Sequence, residues 1–330
     1  MTLQPWQKHS WQQLQDYITQ DRVPQALLIS GDKGLGKVQL ATQFANSLLC
    51  INPTKDAVNC GCCTSCHLLK AHTHPDLIKI SPEEVGKNIT INQIRQLVSL
   101  LSLKPQFDRY RVVILHPAEQ LNNASANAFL KYLEEPTERT ILILVTDSAS
   151  RLPATILSRC QKLSISKPDK QTTINWLRNL NPKLTGTEAE VLHQLSLGSP
   201  FEAHHYDITN MISTRNDCFK AWLDIAQRSQ HPIVIAENWN KLTDAPLFFW
   251  ITTWVVDMIR CKHQVPTKLL YNPDLQKSLS SLVKSTNIKE IYKLYDLILN
   301  CRLKIDTQIN KQSMFEEILI TWLEISKGNV

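Results

Sequence analysis

Residues 26–38 constrain this chain more than any other stretch. An apolar run, Ala26-Leu27-Leu28-Ile29-Ser30, leads into Gly31-Asp32-Lys33-Gly34-Leu35-Gly36-Lys37-Val38, and a helical pattern continues to about Leu49. The chain has only eight glycines, well under the usual share of roughly 7%, yet Gly31, Gly34 and Gly36 crowd together here. A strand, a G-x-x-x-x-G-K loop and a helix in that order describe a phosphate-binding loop. Glycines let successive backbone N–H groups converge on phosphate oxygens, the helix N-terminus adds its positive dipole end, and Lys37 is placed to reach the β- and γ-phosphates.

The surrounding pattern agrees with an α/β fold. Between residues 25 and 166 short apolar runs alternate with helical spacing, the signature of a parallel sheet flanked by helices. Three runs read as strands: 26–30, Arg111-Val112-Val113-Ile114-Leu115, and Ile141-Leu142-Ile143-Leu144-Val145-Thr146. Helices are expected over 91–103 and 124–135, the second ended by Pro136. After Lys167-Pro168 strand signals stop, and 171–180, 187–197, 216–229, 248–260, 288–309 and 313–325 read as helix, punctuated by prolines. A length of 330 residues exceeds what one core usually serves. The expected division is a P-loop domain over 1–167, a small helical domain over 168–208 and a larger helical domain over 209–330.

Composition narrows the setting. With 43% hydrophobic and 20% charged residues the chain is neither disordered nor fibrous. The longest apolar stretch, 247–259, is broken by Thr252, Thr253 and Asp257, so no membrane span is expected. No apolar segment follows a basic start in residues 1–11, so a signal peptide is not expected and the cytoplasm is the default location. A net charge of +6 permits contact with nucleic acid without requiring it. Lys104, Arg109 and Arg111 form a locally basic stretch, which reads equally well as solvated surface.

The loop lacks the residues that would make it hydrolyse. After the lysine a Ser or Thr hydroxyl should bind Mg²⁺, and Val38 stands there instead. Thr42 is a helical turn too far on. The carboxylate expected at the end of the strand 111–115 is replaced by His116-Pro117, and Glu119, beyond the proline, is not expected to reach the site. The loop therefore either holds nucleotide weakly or survives only as a structural turn; a slow ATPase that tolerates these changes is the alternative.

Nine cysteines in a chain without a signal do not suggest disulfides. Cys50, Cys60, Cys63 and Cys66 form C-x9-C-x2-C-x2-C, a spacing that closes four thiolates around structural Zn²⁺. Cys62 is surplus, and His67, His72 and His74 are substitute ligands that four cysteines do not need. A ferredoxin-type cluster would want a cysteine where Lys70 stands. Free thiols and redox chemistry are the remaining readings. Cys160, Cys218, Cys261 and Cys301 read as small buried hydrophobes.

Several ordered features together resemble the delta-prime subunits of the bacterial DNA polymerase III clamp loader, an AAA+ family. They are Arg22-Val23-Pro24-Gln25-Ala26-Leu27-Leu28, the four cysteines after the loop helix, His74-Pro75-Asp76-Leu77, 126–136 (Ala-Asn-Ala-Phe-Leu-Lys-Tyr-Leu-Glu-Glu-Pro), Ser158-Arg159-Cys160, and the last helical stretch 310–323. Gln25 departs from the histidine usual in the family. The resemblance implies an AAA+ domain over 1–167 with a zinc module inserted at about 50–66, a helical lid over 168–208 and an all-helical collar over 209–330. It also implies a subunit that does not hydrolyse ATP, inside a holoenzyme whose polymerase activity resides in another subunit.

In that family ATP lies between subunits. Arg159 resembles the arginine finger supplied in trans to the nucleotide of a gamma or tau neighbour, a role suited to an always charged, forked guanidinium. An arginine that merely pairs near a helix end is the plain alternative. Thr146 resembles a residue that senses the γ-phosphate, although a strand-ending threonine is ordinary. Phe201 stands where hydrolysing relatives carry a lid arginine. The partners implied are gamma/tau and delta subunits, and through them the sliding clamp and primer-template DNA. Two other classes compete. An autonomous ATPase would turn over ATP alone, and a nucleic-acid reader built on the cysteine loop would need more basic charge than Lys55, the one basic residue in 50–66, supplies.

Overall fold

Alternation along the apolar runs decides how the sheet is built. The computed structural model describes residues 3–326 apart from 85, 103, 108, 136, 243–244 and 306–309. Leu27, Ile29, Val112, Ile114, Ile141, Ile143 and Val145 pack with Trp11, Leu14, Leu40, Phe44 and Leu48. Their neighbours Ala26, Leu28, Val113, Leu115, Leu142 and Leu144 pack with Ile94, Leu97, Phe129 and Leu133. Helices cover both faces of the sheet, which is why these runs are apolar throughout instead of alternating with polar residues.

The elements of this part are α1 (Lys8–Thr19), β1 (Ala26–Ser30), α2 (Lys37–Leu49), α3 (Thr64–Lys70), β2 (Leu77–Ile80), α4 (Ile91–Leu101), β3 (Arg111–Leu115), α5 (Asn123–Glu134), β4 (Thr140–Thr146), α6 (Ala154–Leu157) and β5 (Gln161–Ser164). All five strands are parallel, in the order β2-β3-β4-β1-β5. Ser30 is in register with Thr146 on one side and Ser164 on the other, so three strand C-termini meet where the glycine loop begins. Leu27 is in register with Gln161, so β5 starts at the opposite end of the sheet.

Three of the five strands were expected. β2 and β5 were not, because each has four residues and lies at an edge of the sheet. In β5 only Leu163 is buried, so the strand is polar where it faces solvent. Pro136, Leu103 and Ile309, expected as helix ends, lie outside the described residues.

Beyond β5 the structure is helical: α7 (Lys170–Leu180), α8 (Gly186–Leu195), α9 (Pro200–Ile208), α10 (Met211–Ala226), α11 (Pro232–Asn240), α12 (Leu247–Lys262), α13 (Gln276–Ser285), α14 (Ile288–Leu303) and α15 (Lys311–Ile325). Helices α1, α3, α6, α9, α11 and α13 had no counterpart in the expected set. The chain divides into two compact units, Met1–Thr172 with Ser199–Phe201, and Thr173–Gly198 with Glu202–Val330. Within the second unit, Ile174, Leu177, Leu184, Ala189, Leu192 and Ala203 form a small core of their own. Its larger core is built around Trp222, Trp250, Trp254 and Trp322, all fully buried. Trp222 and Trp322 stack with centroids 4.5 Å apart, and the Trp322 Nε1–H donates to the Trp222 carbonyl at 3.0 Å. No described helix is long and apolar enough to cross a membrane.

Candidate functional site

The glycine loop has the backbone its sequence demands. Gly31, Gly34 and Gly36 have φ of 152°, 76° and 75°, values that side chains resist. A Cβ on Gly31 would lie 2.5 Å from the Ile165 carbonyl oxygen, and one on Gly36 would lie 2.7 Å from both Gln7 Nε2 and Phe201 Cε2. The loop carbonyls are taken up on this packed side. Trp6 Nε1 donates to Leu35 O at 3.0 Å, Gln7 Nε2 donates to Leu35 O at 2.9 Å and Gly36 O at 3.0 Å, and the Phe201 N–H donates to Gly34 O at 3.0 Å. Trp6 and Phe201 meet edge to face at 5.9 Å. Neither Trp6 nor Gln7 carries a sequence signal for this role, since they lie more than twenty residues upstream.

Lys37 is buried and already has partners. Its ammonium lies 2.6 Å from Asp147 Oδ1 and donates to the Asp32 carbonyl at 2.5 Å. Asp147 was not singled out in the sequence, although it directly follows Thr146 at the end of β4. Thr146 is fully buried, and its Oγ1 accepts the Ser148 N–H at 3.1 Å. Val38 brings no ligand to the loop, and the Thr42 hydroxyl turns back to the Val38 carbonyl at 2.8 Å.

The expectation for Glu119 needs correction. Its Oε1 accepts the Asp147 N–H at 3.2 Å, and its Oε2 is buried without a partner among the described residues. The short 3₁₀ turn Ala118–Gln120 after Pro117 brings the side chain back toward the sheet. His116 lies beside it. Burial pushes the imidazole pKa below its ordinary value, with Asp147 and Glu119 pulling the other way and Lys37 adding to the fall.

The four expected cysteines come together. Cys50 lies at the C-terminus of α2, Cys63 is the N-cap of α3 and Cys66 sits within α3. Their sulfurs and that of Cys60 all lie within 4.8 Å of one another. The separations are 3.9 Å for Cys50–Cys63, 3.9 Å for Cys60–Cys66 and 3.7 Å for Cys50–Cys66. A tetrahedron with Zn–S bonds of about 2.3 Å has edges of about 3.8 Å, so the donor set fits zinc. Backbone N–H groups support the sulfurs: Cys60 N–H points to Cys50 Sγ at 3.3 Å and Cys66 N–H to Cys63 Sγ at 3.4 Å. The Cys62 N–H, foremost among several, draws the Cys60 thiol down to about 6, while burial pushes Cys50 up to about 12. A cation would displace that proton, as thiolate ligation requires. Cys62 is exposed and outside the cluster.

His74 is not a ligand but a strut. Its Nε2 meets Ser65 Oγ at 2.9 Å, its Nδ1 accepts the Asp76 N–H at 3.1 Å, and the Ser65 hydroxyl donates to Leu49 O at 2.7 Å. Asp76, fully buried, accepts the N–H groups of Gln106 and Phe107 at 3.0 Å and pairs with Arg111 at 3.3 Å. Arg109 Nε donates to the Cys50 carbonyl at 3.0 Å. Of the three locally basic residues, two are therefore spent inside the fold, and Lys104 alone is exposed.

Arg159 follows α6 at the start of β5. Its Nη2 lies 2.6 Å from Glu134 Oε1, and its Nη1 donates to the Thr155 carbonyl at 2.9 Å. Arg159 precedes β5, and all four residues of that strand, in register with β1, run between it and the level of the glycine loop, a backbone separation of at least about 13 Å along the sheet.

A strand, a glycine loop and a helix set in a five-stranded parallel sheet define an α/β domain of the P-loop type. The family model described as DNA polymerase III, delta subunit, matches residues 6–169, and that described as its C-terminal part matches 209–324. The chain is 32% identical over 323 residues to DNA polymerase III subunit delta' of Pseudomonas aeruginosa, covering 97% of each. It is 32% identical over 266 residues to the Haemophilus influenzae subunit of that name, covering 80% of this chain and 79% of that one. The chain belongs to the delta-prime subunit family of DNA polymerase III. It is also 32% identical over 164 residues to the Haemophilus influenzae tau/gamma subunit, covering 50% of this chain and 23% of that one.

Proposed function

We propose that this chain is the non-hydrolysing stator of the polymerase III clamp loader, presenting Arg159 in trans to ATP held by a neighbouring gamma or tau subunit. The observation that carries this is the placement of Arg159 at the end of the sheet opposite the glycine loop. It is too far from its own loop to touch a phosphate there, so any nucleotide it serves belongs to another chain. Residues 168–208 act as a lid and 209–330 as the collar that joins gamma/tau and delta. Zinc holds the cysteine module together. Through its partners the subunit takes part in placing the sliding clamp on primed DNA.

Its own loop binds ATP weakly or not at all. Lys37 is neutralised by Asp147 in place of phosphate, Val38 and His116 offer no carboxylate or hydroxyl to a metal, and Phe201 packs on the loop. One observation favours the competing reading of an autonomous ATPase: Glu119, bonded to the Asp147 N–H, has a buried Oε2 with no partner among the described residues.

Both are decided with the reconstituted loader. An arginine finger contributes roughly 10³ to 10⁵ in rate at the site it serves. Arg159→Ala should leave assembly intact and remove that one site's share of DNA-stimulated hydrolysis, while the isolated chain shows no turnover. Unchanged loading and hydrolysis would remove the finger role. Turnover by the isolated chain that disappears in Lys37→Ala would establish the ATPase.

A further inference from the structure

Glu134 is the last residue of α5, where the negative end of the helix dipole disfavours a carboxylate. Arg159 lies just past the C-terminus of α6, where a cation is welcome. The two helices pack together and bring the side chains into a charge-assisted contact of 2.6 Å. The guanidinium also donates to Thr155 O at 2.9 Å and, more weakly, to Ser158 Oγ at 3.4 Å. It is thus folded back onto its own chain, between one carboxylate and a carbonyl and a hydroxyl at a helix end. A helix-ending glutamate that does nothing for its helix is explained by the arginine it meets.

We propose that Glu134 is the in-chain counter-ion of Arg159, standing where a neighbour's phosphate oxygens bind once the loader is assembled and charged. This rests on the trans-finger role proposed above. Carboxylate and phosphoryl oxygens compete for the same planar donor fork. A guanidinium in contact with a carboxylate brings little net charge to a transition state, and that carboxylate repels an arriving triphosphate. The pair must therefore open before the finger acts. It is built to open, because the two side chains are 34% and 50% exposed and solvent screens such pairs. Closing the pair lowers the fraction of subunits ready to engage, which raises the ATP concentration needed by the inverse of that fraction. Glu134 is a positioning residue: it acts only through Arg159.

The test is a steady-state titration of DNA-stimulated ATP hydrolysis in the reconstituted loader. Glu134→Gln keeps the length and removes the charge. It should lower the half-saturating ATP concentration about two- to fivefold at low salt, the range an exposed ion pair supports, with the maximal rate little changed. The advantage over wild type should vanish at about 0.5 M salt, where exposed charges are screened. Glu134→Asp, which keeps the charge, should stay close to wild type, and Glu134→Gln combined with Arg159→Ala should match Arg159→Ala alone. A raised or unchanged half-saturating concentration in Glu134→Gln overturns the counter-ion role. If Arg159→Ala still depresses hydrolysis in that case, the finger stands without the counter-ion; if Arg159→Ala is also silent, both fall.

Discussion

His74 is buried with both ring nitrogens engaged, and that fixes its protonation. Nδ1 accepts the Asp76 N–H, so the proton sits on Nε2, facing Ser65. Adding a second proton would set Nδ1–H against a backbone N–H. Burial already pulls this imidazole below its ordinary 6.5, with the Asp76 charge only partly opposing. Because the folded chain binds the proton less readily than the unfolded chain, the stability tied to His74 is full above about pH 6.5 and is lost as pH falls through the lower folded value. In the presence of excess zinc, wild type should therefore lose stability more steeply than His74→Gln between about pH 7 and pH 5. Parallel pH profiles in denaturant titrations would show that the strut carries no such linkage. Arg159 and Glu134 belong to the same scale: their interest lies in one contact, not in the elements that carry them.

At the scale of elements, the cysteine module is a loop and a short helix with little core of its own. Cys50, Cys66 and Leu69 are buried, but Cys60 and Cys63 are only partly so. Leu69 anchors it in the core under the sheet, and polar contacts tie it to the end of α2: Ser65 to Leu49, His74 to Ser65, and Arg109 to Cys50. A metal held by the four sulfurs would then be the main cohesive force within it, as in small domains that fold only around zinc. X-ray fluorescence should find zinc in the purified protein, at about one ion per chain. Stripping it with a chelator should expose amides across residues 50–71 to rapid hydrogen exchange while β1, β3 and β4 stay protected. Loss of protection throughout the sheet would mean the module supports the whole domain.

At the scale of the molecule, the two compact units have separate hydrophobic cores. Six of the eight tryptophans, Trp176, Trp222, Trp239, Trp250, Trp254 and Trp322, belong to the second, so tryptophan fluorescence reports mainly on the helical unit. Leu142, 1% exposed between β1 and β3, belongs to the first. Leu142→Ala should destabilise the first unit by about 2–5 kcal/mol. The transition followed by zinc release should then come earlier, with the fluorescence transition nearly unmoved. Both shifting together would mean that the units unfold as one.

How much of this was legible beforehand follows from the range of each interaction. The glycine loop, the three central strands and the clustering of four cysteines rest on local spacing and on burial that leaves no room for polar residues, so they can be read along the chain. β2 and β5 could not, because an edge strand owes its existence to one neighbour that is distant in sequence, and its own residues stay half polar. The same holds at the site. Val38, His116 and Phe201 declare what is missing by type alone, whereas the capture of Lys37 by Asp147, the return of Glu119 past Pro117 and the packing of Trp6 and Gln7 on the loop depend on how chain ends and turns meet in space.

Arg159 marks the boundary most clearly. Its motif, Ser158-Arg159-Cys160, is visible in the sequence and ties the chain to a family. Its distance from its own glycine loop and its pairing with Glu134, 25 residues earlier in the chain, exist only once parallel strands are in register. Sequence alone determines which groups are present and which chemistry is lost, since those are properties of single side chains and short spacings. Tertiary structure decides which charges neutralise one another, because Coulomb and hydrogen-bond energies depend on distances that only the packed sheet and helices set.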